Sequence, residues 1–269
     1  VIHHDDRLKP EATRENGNWL TAPTPRIRDL DRSELDVLDV GRLQPDSAYS
    51  QTRAGQTPID GARIPDFDAV NRLIATRTGP EFRIYCELKT HLLDDTAAHA
   101  RHLADLFCTT LAASPVRART HVVSFDWRCL EHVRAAFPDL PIAHTTPPFF
   151  ITDPDRDPET PLSGLRGQLR AASAAGAKWL GKHDWRNQPG QTHGEKMLAA
   201  IAAAGGQHWF AFHQDVTPDT MACATRLKLG VSAWSVNEPA DMERLARLGV
   251  SAIITDRPDL MRDLPEIQN

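Results

Sequence analysis

The chain has 269 residues, with Lys+Arg 31 against Asp+Glu 36, a formal net charge of −5 and 41% hydrophobic residues. That length suits one large domain, 1–269, of the size of an α/β barrel, and the absence of a basic block or an aromatic-plus-basic stripe argues against a nucleic-acid partner. No uninterrupted apolar run reaches the roughly 18 residues of a membrane span, and Cys86, Cys108, Cys129 and Cys223 form no C-x-x-C pair, so they read as small buried hydrophobes rather than zinc ligands or disulfides.

In chain order, Val1-Ile2 reads as the tail of a strand entering the polar loop His3-His4-Asp5-Asp6-Arg7-Leu8. An apolar pattern already under way at Val1 places any initiator methionine, signal peptide or earlier strand upstream of it, and leaves the cellular compartment open. Thr13 to Pro25 is rich in turn formers, and Arg28 to Leu38 has a short helical spacing. A loop insertion at about 41–65 shows little periodicity and has two readings, a functional lid or a solvated surface segment.

Asp66 reads as a helix cap, with Phe67, Val70, Leu73 and Ile74 behind it at helical spacing. From there helix and strand alternate. Strand-like runs are expected at Arg83 to Leu88, His121 to Phe125, Leu140 to His144, Lys178 to Gly181, Trp209 to Phe212, Val231 to Val236 and Ser251 to Thr255. The intervening helices are expected at Asp94 to Ala113, with Leu103, Leu106 and Leu111 on one side, and at Trp127 to Ala136, Pro161 to Ala175, Glu195 to Ala204, Thr217 to Leu229 and Asp241 to Leu248. Such alternation implies parallel pairing through right-handed crossovers.

The stretch Arg83-Ile84-Tyr85-Cys86-Glu87-Leu88-Lys89 carries the chemistry. With a side-chain period of two, Glu87 and Lys89 share one face while Ile84, Cys86 and Leu88 take the other. A carboxylate there can hold a hard cation and the ammonium an anion such as a phosphate; the alternative is a plain ion pair on a half-buried strand. Polar residues also follow the other strands, at Ser124, His144, Lys182 and His183, Asn237 and Asp256, and no G-x-G-x-x-G turn is present. Chemistry gathered at many strand ends is the habit of barrels, so the expected class is α/β, a (β/α)8 TIM barrel.

Taken together, the motifs resemble the glycerophosphodiester phosphodiesterase family of the phosphatidylinositol-specific phospholipase C-like barrel superfamily. His4-Asp5-Asp6-Arg7-Leu8 is similar to that family's H-D-x-x-L segment, and Cys86-Glu87-Leu88-Lys89 to its strand with a metal-ligand glutamate and a lysine. Val123-Ser124-Phe125 resembles a family strand end, Trp234-Ser235-Val236-Asn237 its W-T-V-N with Ser for Thr, and Gly249 to Pro258 its closing G-V-x-x-I-I-T-D-x-P. The family's opening H-R-G and E-x-D segments have no counterpart after Val1, which implies that the first strands, one catalytic histidine and two acidic ligands lie upstream. With those strands absent, six strands are expected after the first hairpin rather than seven, making one of Lys178 to Gly181 and Trp209 to Phe212 an accessory segment.

The resemblance implies a metal-dependent hydrolysis of glycerophosphodiesters to an alcohol and glycerol 3-phosphate. Glu87 becomes a ligand for Ca²⁺ or Mg²⁺, Lys89 a second charge beside the phosphate, and Trp234 an apolar wall against the alcohol. His4 becomes the general acid or base, since a histidine pKa near 6.5 permits both roles; its competing reading is a solvated loop residue. Asn237 more often caps a following helix, and His144, Lys182, His183 and His213 read as structural or solvated. Two other functions stay open: a phospholipase D-like enzyme on lysophospholipid or sphingolipid, and an inactive barrel that binds phosphorylated ligands.

Overall fold

Asn16 and Gly17 take positive φ values of 50° and 82°, the conformation that a two-residue hairpin turn needs and that this dipeptide tolerates best. They join β1 (Arg14–Glu15) to β2 (Asn18–Trp19), and β3 (Leu38–Asp39) pairs antiparallel with β1 to complete a small sheet. This is a computed structural model, and it describes residues 1–53, 55–156 and 162–262. The chain divides into two compact units, Val1–Gly79 with Ser114–Val116, and Pro80–Ala113 with Arg117–Asn269.

In the first unit Leu8, Leu35, Leu38 and Ile64 form the buried cluster, with Ile27, Leu30 and Val40 packed against it. The helix α1 (Arg32–Asp36) opens with an Asp31/Glu34 capping box. Arg14 is bound by both Asp39 and Asp60. The stretch at about 41–65 holds one short helix, α2 (Ala48–Gln51), and is tied down by backbone bonds from Gln44 to Glu11, from Ile59 to Gly41 and from Val40 to Ala62. Residues 1 and 2 are not the tail of a strand: both are exposed, and Ile2 makes a single backbone bond to Pro65. Asp66 does cap α3 (Phe67–Arg77), its carboxylate accepting from the Ala69 amide at 2.6 Å.

The second unit is the alternating one. Six parallel strands pair in sequence order: β4 (Ile84–Glu87), β5 (Thr120–Ser124), β6 (Ile142–Thr145), β7 (His208–Phe212), β8 (Gly230–Trp234) and β9 (Ala252–Ile253). Helices return the chain between them: α4 (Ala97–Ala112), α5 (Trp127–Ala136), α6 (Phe149–Thr152), α7 (Gly164–Ala174), α8 (His193–Ala203), α9 (Pro218–Arg226) and α10 (Pro239–Arg247), with α11 (Pro258–Arg262) after β9. Parallel strands in sequential order, each regained through a helix, are the topology of a TIM-barrel-type α/β fold. On one sheet face Val123, Ala143 and Phe210 are buried together, with Tyr85, Trp234 and Ile254 packed on them. Tyr85 stacks on His121 at 5.0 Å and on Phe210 at 5.7 Å.

Two expectations need correction here. Lys178–Leu180 is a 3-10 turn, not a strand, so of the two candidates it is the accessory segment, and the six parallel strands among the described residues are the number expected. Gly176 at φ 115° and Ala177 at φ 51° reverse the chain before it and Gly181 at φ 65° follows, so the buried Trp179 and Leu180 have no room to extend. In α4 the buried face is Ala100, Ala104, Phe107 and Leu111, whereas Leu106 is exposed. Small alanines let α4 pack closely on α5, where the Cys129 thiol reaches the Ala100 carbonyl at 3.4 Å. The expected helix start at Pro161 lies outside the described residues. All four cysteines are free, Cys129 and Cys223 buried and Cys86 and Cys108 half-buried; burial pushes the Cys86 thiol up to about 12, so it stays protonated.

Candidate active site

Strand β4 ends at Glu87, and the alternation continues through Leu88, which is buried and donates its amide to the Val123 carbonyl at 2.9 Å. Continuing the pleat brings Lys89 back to the side of Glu87, and its Nζ stands 2.9 Å from Glu87 Oε1. The pair is partly exposed, with side chains 25% and 33% accessible. It opens on a cavity of about 260 Å³. Glu87, Lys89 and Thr90 give that cavity its polar side; Leu92, Phe125, Pro147, Pro148, Ile151 and Leu169 give it an apolar wall.

Each wall element is held by identifiable bonds. Phe125 follows the end of β5 and meets Trp234 edge-on at 5.5 Å between ring centroids. Trp234, at the end of β8, is fixed by its indole N–H to the Phe210 carbonyl at 3.2 Å and by the Phe212 ring at 5.2 Å. Phe125 is therefore the aromatic face on the cavity, and Trp234 supports it from the sheet side. Pro147, Pro148 and Ile151 belong to the segment after β6. There the buried Asp215 carboxylate accepts from the Phe149 amide at 2.9 Å, at the start of α6. Burial raises Asp215 to about 7, far above the ordinary carboxylate value. The Ile151 carbonyl accepts from Arg170 Nε at 3.0 Å, and Thr152 pairs with His193 at 3.0 Å.

His4 belongs to the first unit; its ring is 82% exposed and its Nδ1 lies 2.8 Å from Asp5 Oδ1. Lys9 also reaches Asp5, and hydrogen bonds from Lys9 and His4 outweigh burial in holding that carboxyl below its usual range. Asn237 is not a helix cap. Glu238 occupies the cap position of α10, and Asn237 instead accepts from Thr255 Oγ1 and the Asp256 amide while donating to Asp256 Oδ2, joining the ends of β8 and β9. His144 is buried against Trp127, and burial lowers it to about 3, so it stays neutral. His183 pairs with Glu131, Lys182 projects into solvent, and burial lowers His213, which faces Asp241 at 3.6 Å. None of these four lines the cavity. Among the described residues no group of three or more His, Cys, Asp or Glu is placed to hold a metal ion.

A carboxylate and an ammonium at a strand end, beside a cavity with an apolar wall on a parallel α/β sheet, form a polar site where a TIM-barrel-type fold carries its chemistry. The sequence profile of the Glycerophosphoryl diester phosphodiesterase family matches residues 1–260, and the chain belongs to that family. Similar solved structures include one from Silicibacter pomeroyi DSS-3, named as a glycerophosphoryl diester phosphodiesterase, at 27% identity and TM-score 0.74, covering 97% of this chain and 78% of that one. Another is a phosphodiesterase from Oleispira antarctica in complex with the product sn-glycerol-3-phosphate, at 14% identity and TM-score 0.61, covering 97% and 77%. A third is a glycerophosphodiester phosphodiesterase from Parabacteroides distasonis, at 16% identity and TM-score 0.59, covering 97% and 76%. No match was found among the curated protein sequences. The protein is thus an enzyme of the phosphoric diester hydrolase type.

Cavity-lining residues that the sequence did not single out are Thr90, Leu92, Pro147, Pro148, Ile151 and Leu169. The one local signal was the Thr145-Thr146-Pro147-Pro148 run, in which two prolines stop a strand and turn the chain over its end.

Proposed function

We propose that the protein hydrolyses glycerophosphodiesters in a metal-dependent reaction, releasing an alcohol and glycerol 3-phosphate. The observation that carries this reading is the Glu87–Lys89 pair at the polar side of an apolar-walled cavity, in a chain of this family. The product named for the Oleispira antarctica relative is of the same kind.

In the reaction a water molecule loses a proton as its oxygen forms a new P–O bond, the P–O bond to the alcohol breaks, and the departing alkoxide gains a proton. The Lys89 ammonium sits against the non-bridging oxygens, where charge concentrates in the transition state. His4 moves the proton; its place in the H-D-x-x-L register supports that role. Phe125, backed by Trp234, covers the alcohol portion and keeps water from that side.

Glu87 is the carboxylate that would hold a divalent metal, and the metal would supply positive charge to the phosphate.

The test is release of glycerol 3-phosphate from glycerophosphocholine with and without Mg²⁺ or Ca²⁺, comparing the wild type with Glu87→Ala and His4→Ala. Metal-dependent release lost in both variants supports the reading; no release from the wild type under either metal refutes it. The apolar wall favours a second reading, a lysophospholipid substrate whose acyl-bearing side lies along Leu92, Ile151 and Leu169. Release from lysophosphatidylcholine faster than from glycerophosphocholine would favour it.

A further inference from the structure

Lys89 lies on a stretch that no regular hydrogen-bond ladder holds, because β4 ends two residues earlier. Its neighbours on both sides are nevertheless anchored to the end of β5. On one side Leu88 is bound twice: its amide goes to the Val123 carbonyl at 2.9 Å, and its carbonyl accepts the Ser124 hydroxyl at 2.7 Å. On the other side the Thr90 hydroxyl donates to Asp126 Oδ2 at 2.9 Å. Ser124 and Asp126 are both fully buried, and they are joined to each other by the Asp126 amide donating to Ser124 Oγ at 3.0 Å.

Asp126 is rigid in turn. Arg128 grips it with two parallel bonds, Nε to Oδ1 at 2.8 Å and Nη2 to Oδ2 at 2.7 Å, and the Arg128 amide adds a third at 3.1 Å. The same guanidinium reaches the Asp95 carbonyl at 3.0 Å, before α4. A buried carboxylate held this firmly would satisfy α5 as a helix cap without Thr90. The bond to Thr90 serves the strand end that carries Glu87 and Lys89.

We propose that Thr90, Ser124 and Asp126 are positioning residues that fix the backbone on both sides of Lys89 and so aim its ammonium, with the Glu87 carboxylate, at the phosphate. The inference rests on the reading of Glu87 and Lys89 as substrate-facing groups given above. Neither Ser124 nor Asp126 lines the cavity; Thr90 does, and its hydroxyl is turned to Asp126. Misplacement of a charged group by a fraction of an ångström to 1 Å lowers turnover far more than it lowers stability.

The test uses the purified full chain and compares kcat and KM for glycerophosphocholine in Thr90→Val, Thr90→Ser, Lys89→Met and Glu87→Gln. Thr90→Val keeps the shape and β-branch but loses the donor, while Asp126 keeps its arginine and its cap. The expected result is a fall in kcat on the order of 10- to 100-fold for Thr90→Val, near wild-type kcat for Thr90→Ser, and an unchanged melting midpoint for both. In a Lys89→Met background, Thr90→Val is expected to cause no additional loss. Wild-type kcat for Thr90→Val, while Lys89→Met and Glu87→Gln are inactive, overturns the positioning role alone. An equal additional loss in the Lys89→Met background, or a loss in Thr90→Ser as large as in Thr90→Val, overturns it as well. Wild-type turnover in both Lys89→Met and Glu87→Gln overturns the reading of the pair and the positioning role together.

Discussion

Lys89 Nζ lies 2.9 Å from Glu87 Oε1 across a single intervening residue, with Leu88 buried on the opposite side. The pair is close enough to neutralise itself when no substrate is present and exposed enough to exchange partners. A partly exposed ion pair contributes about 0–1 kcal/mol to stability, so its worth lies in what it binds. Glu87→Gln and Lys89→Met are each expected to leave the melting midpoint within a few degrees of the wild type and to lower kcat/KM by about 100-fold or more. Thermal melts beside initial rates of glycerol 3-phosphate release check both halves; a large loss of stability in either variant contradicts the functional assignment.

His4→Ala is expected to fold normally, because the ring is 82% exposed and its hydrogen bond goes to the adjacent Asp5. Loss of the proton-transfer group lowers kcat by about 10²–10⁴-fold. A rate profile from pH 5 to 9, compared with His4→Gln, separates a titrating group from a merely polar one.

Chelation followed by controlled return of metal tests the proposed role of Glu87. Activity is expected to fall on removal of divalent ions and to return on addition of Mg²⁺ or Ca²⁺. The Glu87→Gln variant is expected to need much more metal for half-maximal rate, measured by titration of Mg²⁺.

Asp215 predicts a pH dependence of stability. Burial raises its carboxyl to about 7. Between the unfolded value near 4 and about 7 the unfolded chain releases a proton that the folded chain keeps. Stability from this group is therefore complete at acid pH and is lost as pH rises through 7, at ~1.4 kcal/mol per unit. Asp215→Asn keeps an acceptor for the Phe149 amide and removes the titration. Relative to the wild type, the melting midpoint of the variant is expected to rise progressively between pH 4 and pH 7 and to level off above that; a difference that does not change with pH contradicts the assignment.

Much of the second unit was legible in the sequence because alternation of helix and strand is a local signal. Trp127 to Ala136 is helical over the expected span, and the strands at Cys86, Val123, Ala143, Phe210 and Ala233 fall where expected. Lys178–Leu180 was misread because a short run with two apolar residues, Trp179 and Leu180, satisfies a strand and a buried turn equally; the positive φ values at Ala177 and Gly181 decide between them. Leu106 was assigned inward because leucine outweighs alanine on any hydrophobic scale, yet close helix packing prefers the small residues Ala100 and Ala104.

By itself the sequence determined the class, the order of elements and the alternation that sets Glu87 and Lys89 on one side, because period and spacing act over a few residues. The tertiary structure alone decided that Phe125 rather than Trp234 faces the cavity, that Asn237 joins two strand ends instead of capping a helix, and that Ser124 and Asp126 hold the residues flanking Lys89. Those relationships pair residues about 20 to 110 positions apart: registration of neighbouring strands brings together the ends of β4 and β5 and of β8 and β9, and ring packing joins Phe125 after β5 to Trp234 on β8.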